Sequence, residues 1–257
     1  MRTLPILCMS LFTFSASAAG FLDFRDESFR KEDLKEKKWI FNMGVDYMQY
    51  PTSLPAYDGT HANIKNEENY NIFGVNLGVG REFALGAGIS TTLKTGGFYN
   101  KSFERNVGKA SEDIDMDLAN IRTDHMVYGG EASASLNYLV ENKVLNFQPF
   151  LEFGLGAGVA DVEKEYTFEG IEADRSDAEK YNVSAQEGFN YTKTSLGVNF
   201  ISQQGVVSYI KATRMLMDVN QREIAGAING EAQDSKEENL DENKEILSGS
   251  VGFGFLF

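Results

Sequence analysis

The chain has 257 residues, a formal net charge of −14 and a mean hydropathy of −0.31. This acidity disfavours nucleic acid as a partner, because phosphates are repelled by a negative protein surface. After the first 18 residues, no stretch approaches the roughly 20 consecutive apolar residues that a transmembrane helix needs. The 25 glycines, 4 prolines and 12% aromatic residues favour strands over helices.

The N-terminus has the order of a secretory signal peptide. Arg2 precedes the apolar stretch LPILCMSLFTF, and ASA at 16–18 forms a small-residue cleavage site. We therefore predict that residues 1–18 are a signal peptide, cut after Ala18 or Ala19. Cys8, the only cysteine, lies inside this segment, so we expect no disulfide in the mature chain. Residues 19–38 follow as an expected periplasmic N-terminal segment, either a short amphipathic helix or a loose tail.

From Trp39 onward, apolar residues alternate with glycine or polar residues in eight segments. This period of two is typical of a strand with two different faces. In the last segment, SVGFGFLF, an aromatic face opposes a face of Gly252 and Gly254. The segments are 39–50, 70–80, 83–96, 126–140, 147–160, 189–201, 206–217 and, beginning near Ile246, the C-terminus. Long connections of about 19 to 28 residues alternate with short connections of six residues or fewer.

Alternating short and long connections are the pattern of outer-membrane barrels, which have short periplasmic turns and long extracellular loops. We predict an all-β fold, an eight-stranded antiparallel up-and-down transmembrane β-barrel over residues 39–257. Its long acidic loops are expected at 97–124, 162–187 and 218–244. An aromatic girdle is expected at the periplasmic strand ends, at Trp39, Phe83, Tyr138, Phe147, Phe200 and Phe257.

Several short stretches resemble a known family. They are Trp39 at the start of the first strand, PFLEFGLGAG (149–158), SLGVNF (195–200) and the terminal GFGFLF. With their spacing, the chain resembles the small OmpA-like, opacity-type eight-stranded barrels of the bacterial outer membrane. The resemblance implies that the last strand is an insertion signal for the barrel-assembly machinery. The residues of that signal would be Val251, Phe253, Phe255 and Phe257.

The lumen parity of the strands carries three acids and three lysines. They are Asp46, Lys94, Glu131, Glu152, Lys193 and Lys211. Because an unpaired buried charge is costly, we predict a lumen charge network, with Glu131–Lys193 and Glu152–Lys211 as its pairs. Two interpretations stay open for this network. It is either a structural plug or a gate whose pairs exchange partners to open a narrow pore.

Catalytic and metal chemistry find little support in the sequence. Four acids fall at calcium-loop positions one, three, five and twelve, but Leu118 replaces the required glycine and the twelfth residue is not glutamate. These weak candidates are Asp113, Asp115, Asp117 and Asp124. His125 beside Asp124 would suit a lipid-processing hydrolase, but neither it nor His61 belongs to a wider motif. GLGAG (154–158) lies inside a strand, which argues against nucleotide binding. We expect no enzyme activity, cofactor or metal.

The sequence thus predicts a non-enzymatic barrel with a structural or surface-interaction role. We expect a monomer in contact with outer-membrane lipid, with an extracellular ligand or cations as possible partners of the acidic loops. The alternative is a narrow porin-like channel for ions or small solutes.

Overall fold

The structure is a computed structural model that describes residues 39–53, 67–106, 116–142, 144–170, 179–202, 205–228, 231–232 and 235–256. The predicted signal peptide, the segment 19–38, His61 and Phe257 lie outside the described residues. None of the described residues belongs to a helix long and apolar enough to cross a membrane.

The described chain forms eight long strands and one of two residues, β8 (Glu231–Ala232), which pairs with the end of β7. The long strands are β1 (Trp39–Ser53), β2 (Glu67–Gly86), β3 (Ile89–Asn106), β4 (Met116–Tyr138), β5 (Leu145–Gly170), β6 (Glu179–Ser202), β7 (Val206–Ile228) and β9 (Lys236–Leu256). Each pairs antiparallel with its neighbours in this order, and β1 pairs with β9. The predicted eight-stranded up-and-down barrel is therefore confirmed.

The register around the ring sets the width of the barrel. Starting from Trp39, the paired residues are Arg81, Leu93, Ala134, Phe153, Thr194, Arg214 and Leu247. Ser248 pairs with Met48, so Leu247 corresponds to Gln49 in the same antiparallel register. A circuit that starts at Trp39 therefore returns to β1 ten residues further along the strand. With eight strands, this shear gives a strand tilt of about 40° and an interior just wide enough for side chains to fill.

Short turns close one end of the barrel, which we call the lower end. The connections there have two residues (β2 to β3), six (β4 to β5) and three (β6 to β7). Ala87 and Gly88 both have positive φ, 52° and 79°, as a type I′ hairpin turn requires. The other four connections, β1 to β2, β3 to β4, β5 to β6 and β7 to β9, lie at the opposite, upper end.

An apolar belt surrounds the lower part of the outer wall. Its side chains are exposed although they are large and apolar; Leu196, for example, is 64% exposed. Aromatic residues border the belt below and above, as in transmembrane barrels. The lower girdle consists of Trp39, Phe83, Tyr138, Phe147 and Phe200, and the upper girdle consists of Tyr47, Phe73, Tyr99 and Tyr128. Because only lipid can cover such a belt favourably, the segments between the girdles span a membrane.

The strands do not end at the upper girdle. β5 has 26 residues and β6 has 24, whereas a membrane-spanning strand needs about 9–11. The predicted loops 97–124, 162–187 and 218–244 were therefore wrong over most of their length, because β3 to β7 and β9 continue through them. The apolar alternation disappears above the girdle since that outer wall no longer meets lipid, but the backbone pairing does not depend on apolar residues. We call this part of the structure the upper barrel.

Candidate functional site: the layered lumen

The lumen is filled by layers of buried side chains, which we describe from the lower end upward. The lowest layer is apolar and closes the barrel at the level of its turns. It consists of Ile40, Leu139, Ile201, Val207 and Leu256, none of them more than 7% exposed. Water and ions therefore meet a hydrophobic plug at this end.

A buried carboxylate lies just above this plug. Glu82 is 3% exposed and accepts hydrogen bonds from Ser90 Oγ and from Gln148 Nε2, the latter at 2.9 Å. Within the described residues it has no ion pair. Sequence reasoning missed Glu82 because residues 81–82 were assigned to a turn, although Glu82 continues the lumen parity of Gly78 and Gly80.

The lower charge cluster lies next, at membrane depth. Lys193 Nζ lies 2.5 Å from Glu131 Oε1 and 3.0 Å from Glu152 Oε1, the second contact being an ion pair without a hydrogen bond. Lys94 Nζ donates to Glu152 Oε2 at 2.8 Å. Tyr191 Oη donates to Glu131 at 3.1 Å. The four charges therefore form one chain, from Lys94 through Glu152 and Lys193 to Glu131.

Two predicted lumen charges remain outside this chain. The prediction of a Glu152–Lys211 pair was wrong, since Lys94 and Lys193 occupy both carboxylate oxygens of Glu152. Lys211 Nζ instead lies 5.9 Å from the centroid of the Tyr209 ring. Asp46 accepts hydrogen bonds from Asn76 Nδ2 at 2.6 Å and from Ser250 Oγ. Strand periodicity alone cannot rank Lys94, Lys193 and Lys211 as partners of Glu152.

An apolar layer separates this cluster from the upper barrel. Its members include Met48, Ile72, Val127, Phe189, Met215, Met217 and Ile246, with Phe98 packed against them. The lumen glycines make room for its aromatic rings. A Cβ at Gly156 would lie 2.4 Å from Tyr191 Cζ, and one at Gly158 would lie 2.6 Å from Phe189 Cζ. The alternating glycines of the sequence are therefore a packing requirement of a narrow lumen.

The upper charge cluster is centred on Glu187, which is fully buried. Arg222 donates to Glu187 Oε1 from Nε at 2.9 Å and from a terminal nitrogen at 2.5 Å. Lys244 Nζ and Tyr50 Oη donate to Glu187 Oε2 at 2.7 and 2.9 Å. Burial alone would raise the pKa of Glu187, but Lys244 and Arg222 lower it below its usual value. Sequence reasoning missed this cluster because it placed Glu187 and Arg222 in loops.

His125 lies beside this cluster in an unusual environment. The ring is fully buried, its centroid is 4.0 Å from that of Tyr70, and neither ring nitrogen has a hydrogen-bond partner among the residues that the structure describes. Burial, and then the charge of Lys164, lower the pKa of His125 to about 3. Asp124 faces the other side of β4 and forms an ion pair with Arg122 at 3.1 Å. His125 and Asp124 therefore cannot form the His–Asp pair that a hydrolase would use.

The weak calcium candidate does not form a binding loop. β4 begins at Met116, so Asp117 and Asp124 lie on one extended strand, about 23 Å apart at the usual rise per residue. Asp113 and Asp115 lie outside the described residues. Within the described part of the chain, no group of three His, Cys, Asp or Glu residues could hold a metal ion.

The C-terminal strand has the two faces that its sequence indicated. Val251, Phe253 and Phe255 pair with Val45, Met43 and Phe41 on the lipid-facing side of β1. Gly252, Gly254 and Leu256 are buried in the lumen. An assembly role for this strand stays a prediction.

Comparison with known proteins identifies neither a family nor a function for this chain. No family model and no curated protein matches the chain. Three solved structures illustrate the similarity. Ail of Yersinia pestis is 13% identical and covers 86% of this chain and 99% of its own, with a TM-score of 0.37. The outer membrane protein OprG from Pseudomonas aeruginosa is 15% identical, with coverages of 86% and 96% and a TM-score of 0.33. A major outer membrane protein from Thermus thermophilus is 10% identical, with coverages of 85% and 99% and a TM-score of 0.40.

A double-mutant cycle tests the lower charge cluster. Lys193→Met should destabilise the barrel by up to about 3–5 kcal/mol, because Glu131 loses its cation, and Glu131→Gln should cost less, because Lys193 keeps its contact with Glu152. The double variant should recover part of this loss, since no charge of the pair is stranded, although Glu152 keeps only Lys94. The free energy of unfolding in urea, in detergent micelles, measures all three. Strictly additive losses would show that the two residues do not interact.

His125 and the upper charge cluster predict that the free energy of unfolding decreases in two steps as the pH is lowered. A histidine with a lower pKa in the folded protein than in the unfolded chain, where it is about 6.5, contributes its full stabilisation above about pH 6.5. This contribution is lost as the pH falls below about 6.5. Stability should therefore fall from pH 6.5 downward, by up to about 1.4 kcal/mol per pH unit until the pH reaches the folded pKa. Glu187 should add a second fall below its unfolded pKa of about 4.3.

Urea unfolding between pH 7 and pH 4 measures the first step. His125→Phe, whose ring still packs on Tyr70, should abolish it, and Glu187→Gln should reduce the second step below about pH 4.3, to which the other paired carboxylates also contribute. The matched control is His61→Phe, the only other histidine, which should keep the wild-type profile. An unchanged profile in His125→Phe would contradict the assignment.

Proposed function

We propose that this chain is a non-enzymatic barrel of the bacterial outer membrane, with a structural and surface-interaction role exercised by the upper barrel. The observation that carries the proposal is the length of the strands. β4 to β7 have 23 to 26 residues, more than twice the length that a membrane requires. Such a wall gives a rigid platform for contacts beyond the membrane surface.

The orientation follows from the rules of this class. Outer-membrane barrels keep their short turns in the periplasm, which puts the upper barrel outside the cell. The expected signal peptide fits this export route. Lipid would contact the apolar belt, and the lipid-facing residues of β9, with Phe257, would serve the barrel-assembly machinery as its insertion signal. The protein would be a monomer in the membrane.

The outer wall of the upper barrel offers a surface for contacts. A groove of about 350 Å³ lies there across β3 to β7. Asp124, Asp161, Glu163 and Glu223 line it, together with Lys101. The excess of carboxylates at this groove favours cationic partners over anionic ones.

The packing of the lumen supports this role over the alternative of a narrow channel for ions or small solutes. An ion crossing the barrel would have to pass the lower plug and the apolar layer, whose members are nearly all buried. The observation that favours the channel alternative is that Lys193 contacts two carboxylates, those of Glu131 and Glu152. Lys193 would be able to exchange one of these partners for the other. Exchange among these charges would still leave both apolar layers closed.

Planar bilayer recordings separate the two functions. The purified protein should give no conductance steps, because two apolar layers block the lumen. The triple variant Phe98→Ala, Phe189→Ala, Tyr191→Ala, which opens the apolar layer, should conduct more than the parent if the lower plug fluctuates. Heat-modifiable migration on gels checks that the parent and the variant are both folded as barrels. Regular ion-selective steps from the wild-type protein would overturn the proposal in favour of a channel.

A further inference from the structure

An arginine lies within the lower aromatic girdle. Arg81 is exposed on the lipid-facing side of β2, two residues before Phe83, and it pairs with Trp39 of β1 in the register of the sheet. The girdle marks the border at which the acyl chains of a lipid give way to its headgroup. A long side chain at this border can keep its stem in the apolar region and its charged end at the headgroups.

Two aromatic rings hold the guanidinium of Arg81. Its Cζ lies 5.3 Å from the centroid of the Phe83 ring and 5.9 Å from that of Trp39. Both distances suit cation–π contacts, which position the guanidinium without using its N–H groups in conventional hydrogen bonds. Among the residues that the structure describes, no carboxylate forms an ion pair with Arg81. The indole of Trp39 adds a further N–H donor beside it.

Arg214, an exposed arginine higher on the same outer wall, shows what such a side chain binds when an acid is at hand. It donates from Nε to Glu245 Oε1 at 2.8 Å and from a terminal nitrogen to Oε2 at 3.1 Å. A phosphate offers the same two-oxygen geometry as this carboxylate. Arg81 has the same donors at the depth where phospholipid phosphates lie.

The neighbours of Arg81 favour a lipid phosphate with a net negative headgroup. On its own strand and on the two adjacent strands, the nearest outward residues are all apolar, namely Val79, Phe83, Trp39 and Leu93. None of them can compensate the positive end of a zwitterionic headgroup. A free phosphate would gain nothing from these apolar side chains, whereas the acyl chains of a lipid would cover them.

The outer wall above Arg81 also has room for an acyl chain. Small residues on β3 and β4 form a shallow channel there, between larger side chains of β2 and β5. A Cβ at Gly130 would meet only the carbonyl oxygen of Gly96, at 3.8 Å. The small residues are Thr95, Gly97, Gly130, Ala132 and Ala134, and the larger ones are Leu77, Val79, Phe153 and Leu155.

We propose that Arg81, Trp39 and Phe83 form a binding site for the headgroup of an anionic phospholipid, in the leaflet at the lower end of the barrel. The guanidinium would donate to the phosphate oxygens, while the two rings hold it at the level of the headgroups. This site goes beyond the proposed surface role, because it belongs to the membrane-spanning part.

Tryptophan fluorescence tests the site directly, because Trp39 is the only tryptophan of the chain. The full chain is refolded into vesicles of phosphatidylcholine and phosphatidylglycerol, with bromine on the acyl chains of one lipid or the other. Bromine quenches a tryptophan that it contacts, so the two mixtures together give the preference for each lipid at Trp39. Phosphatidylglycerol should be favoured there about threefold over its share of the bilayer, as for an ion pair in partial contact with water.

Arg81→Gln should abolish this preference, and Arg81→Lys should keep part of it, since lysine keeps the charge but loses the two-pronged geometry. Arg214→Gln is the matched control and should keep the parent's preference, because Arg214 is already paired with Glu245. Added inorganic phosphate should not change the preference. Heat-modifiable migration on gels checks that every variant is folded.

Four results would overturn the site. The first is an equal share of both lipids at Trp39 in the parent, as expected if a carboxylate of the chain itself occupied Arg81. The second is a preference that persists in Arg81→Gln. The third is an equal loss in Arg214→Gln, which would indicate a response to overall charge. The fourth is a loss caused by inorganic phosphate, which would indicate a site for free anions. None of them concerns the upper barrel, so this site and the proposed function can fail separately.

Discussion

The structure depends on one constraint, the pairing of every backbone N–H and C=O group inside the membrane. Lipid offers these groups no partner, so the sheet between the girdles must close on itself. Closure of eight strands with a shear of ten residues fixes a narrow lumen. The remaining features of the membrane-spanning part follow from that width. Glycines face aromatic rings because two large side chains do not fit, and charges join one chain because little water can solvate them.

Above the membrane the same constraint is relaxed, and the architecture changes there. Water can satisfy backbone groups that lipid cannot, so the ladder no longer has to be continuous. β1 and β2 leave their neighbours just beyond Met48 and Phe73, and the other six strands continue upward. Tertiary contacts replace the lost pairing, chiefly those of Glu187 with Tyr50, Arg222 and Lys244. The two charge clusters thus have different tasks. The lower one fills a closed tube, and the upper one ties the upper part of β1 to β6, β7 and β9.

The sequence was informative wherever lipid acts on side chains. Apolar alternation found the membrane-spanning part of all eight strands, the lower girdle and the lumen parity of Glu131 and Lys193. It could not find the upper strands, because their outer wall faces water and period-two patterning weakens there. Glu187 and Arg222 were therefore taken for loop residues, and Glu82 was lost in a turn. The partner of Glu152 depends on where three lysine side chains reach, which strand periodicity does not encode.

The central claim is that the strands continue as an ordered wall well beyond the membrane. Single nitroxide labels on β5 test it most directly, in a chain with no other cysteine after Cys8. They are placed at the outward positions from Leu151 to Glu165 and at the inward positions Ala160, Val162 and Lys164, because the inward glycines below have no room for a side chain. From Val159 to Glu165, collisional accessibility should alternate with a period of two. Outward labels should favour oxygen up to Val159 and a water-soluble nickel chelate from Asp161 onward, while inward labels stay shielded throughout. Loss of the alternation beyond Val159, with mobile labels on both parities, would contradict the account.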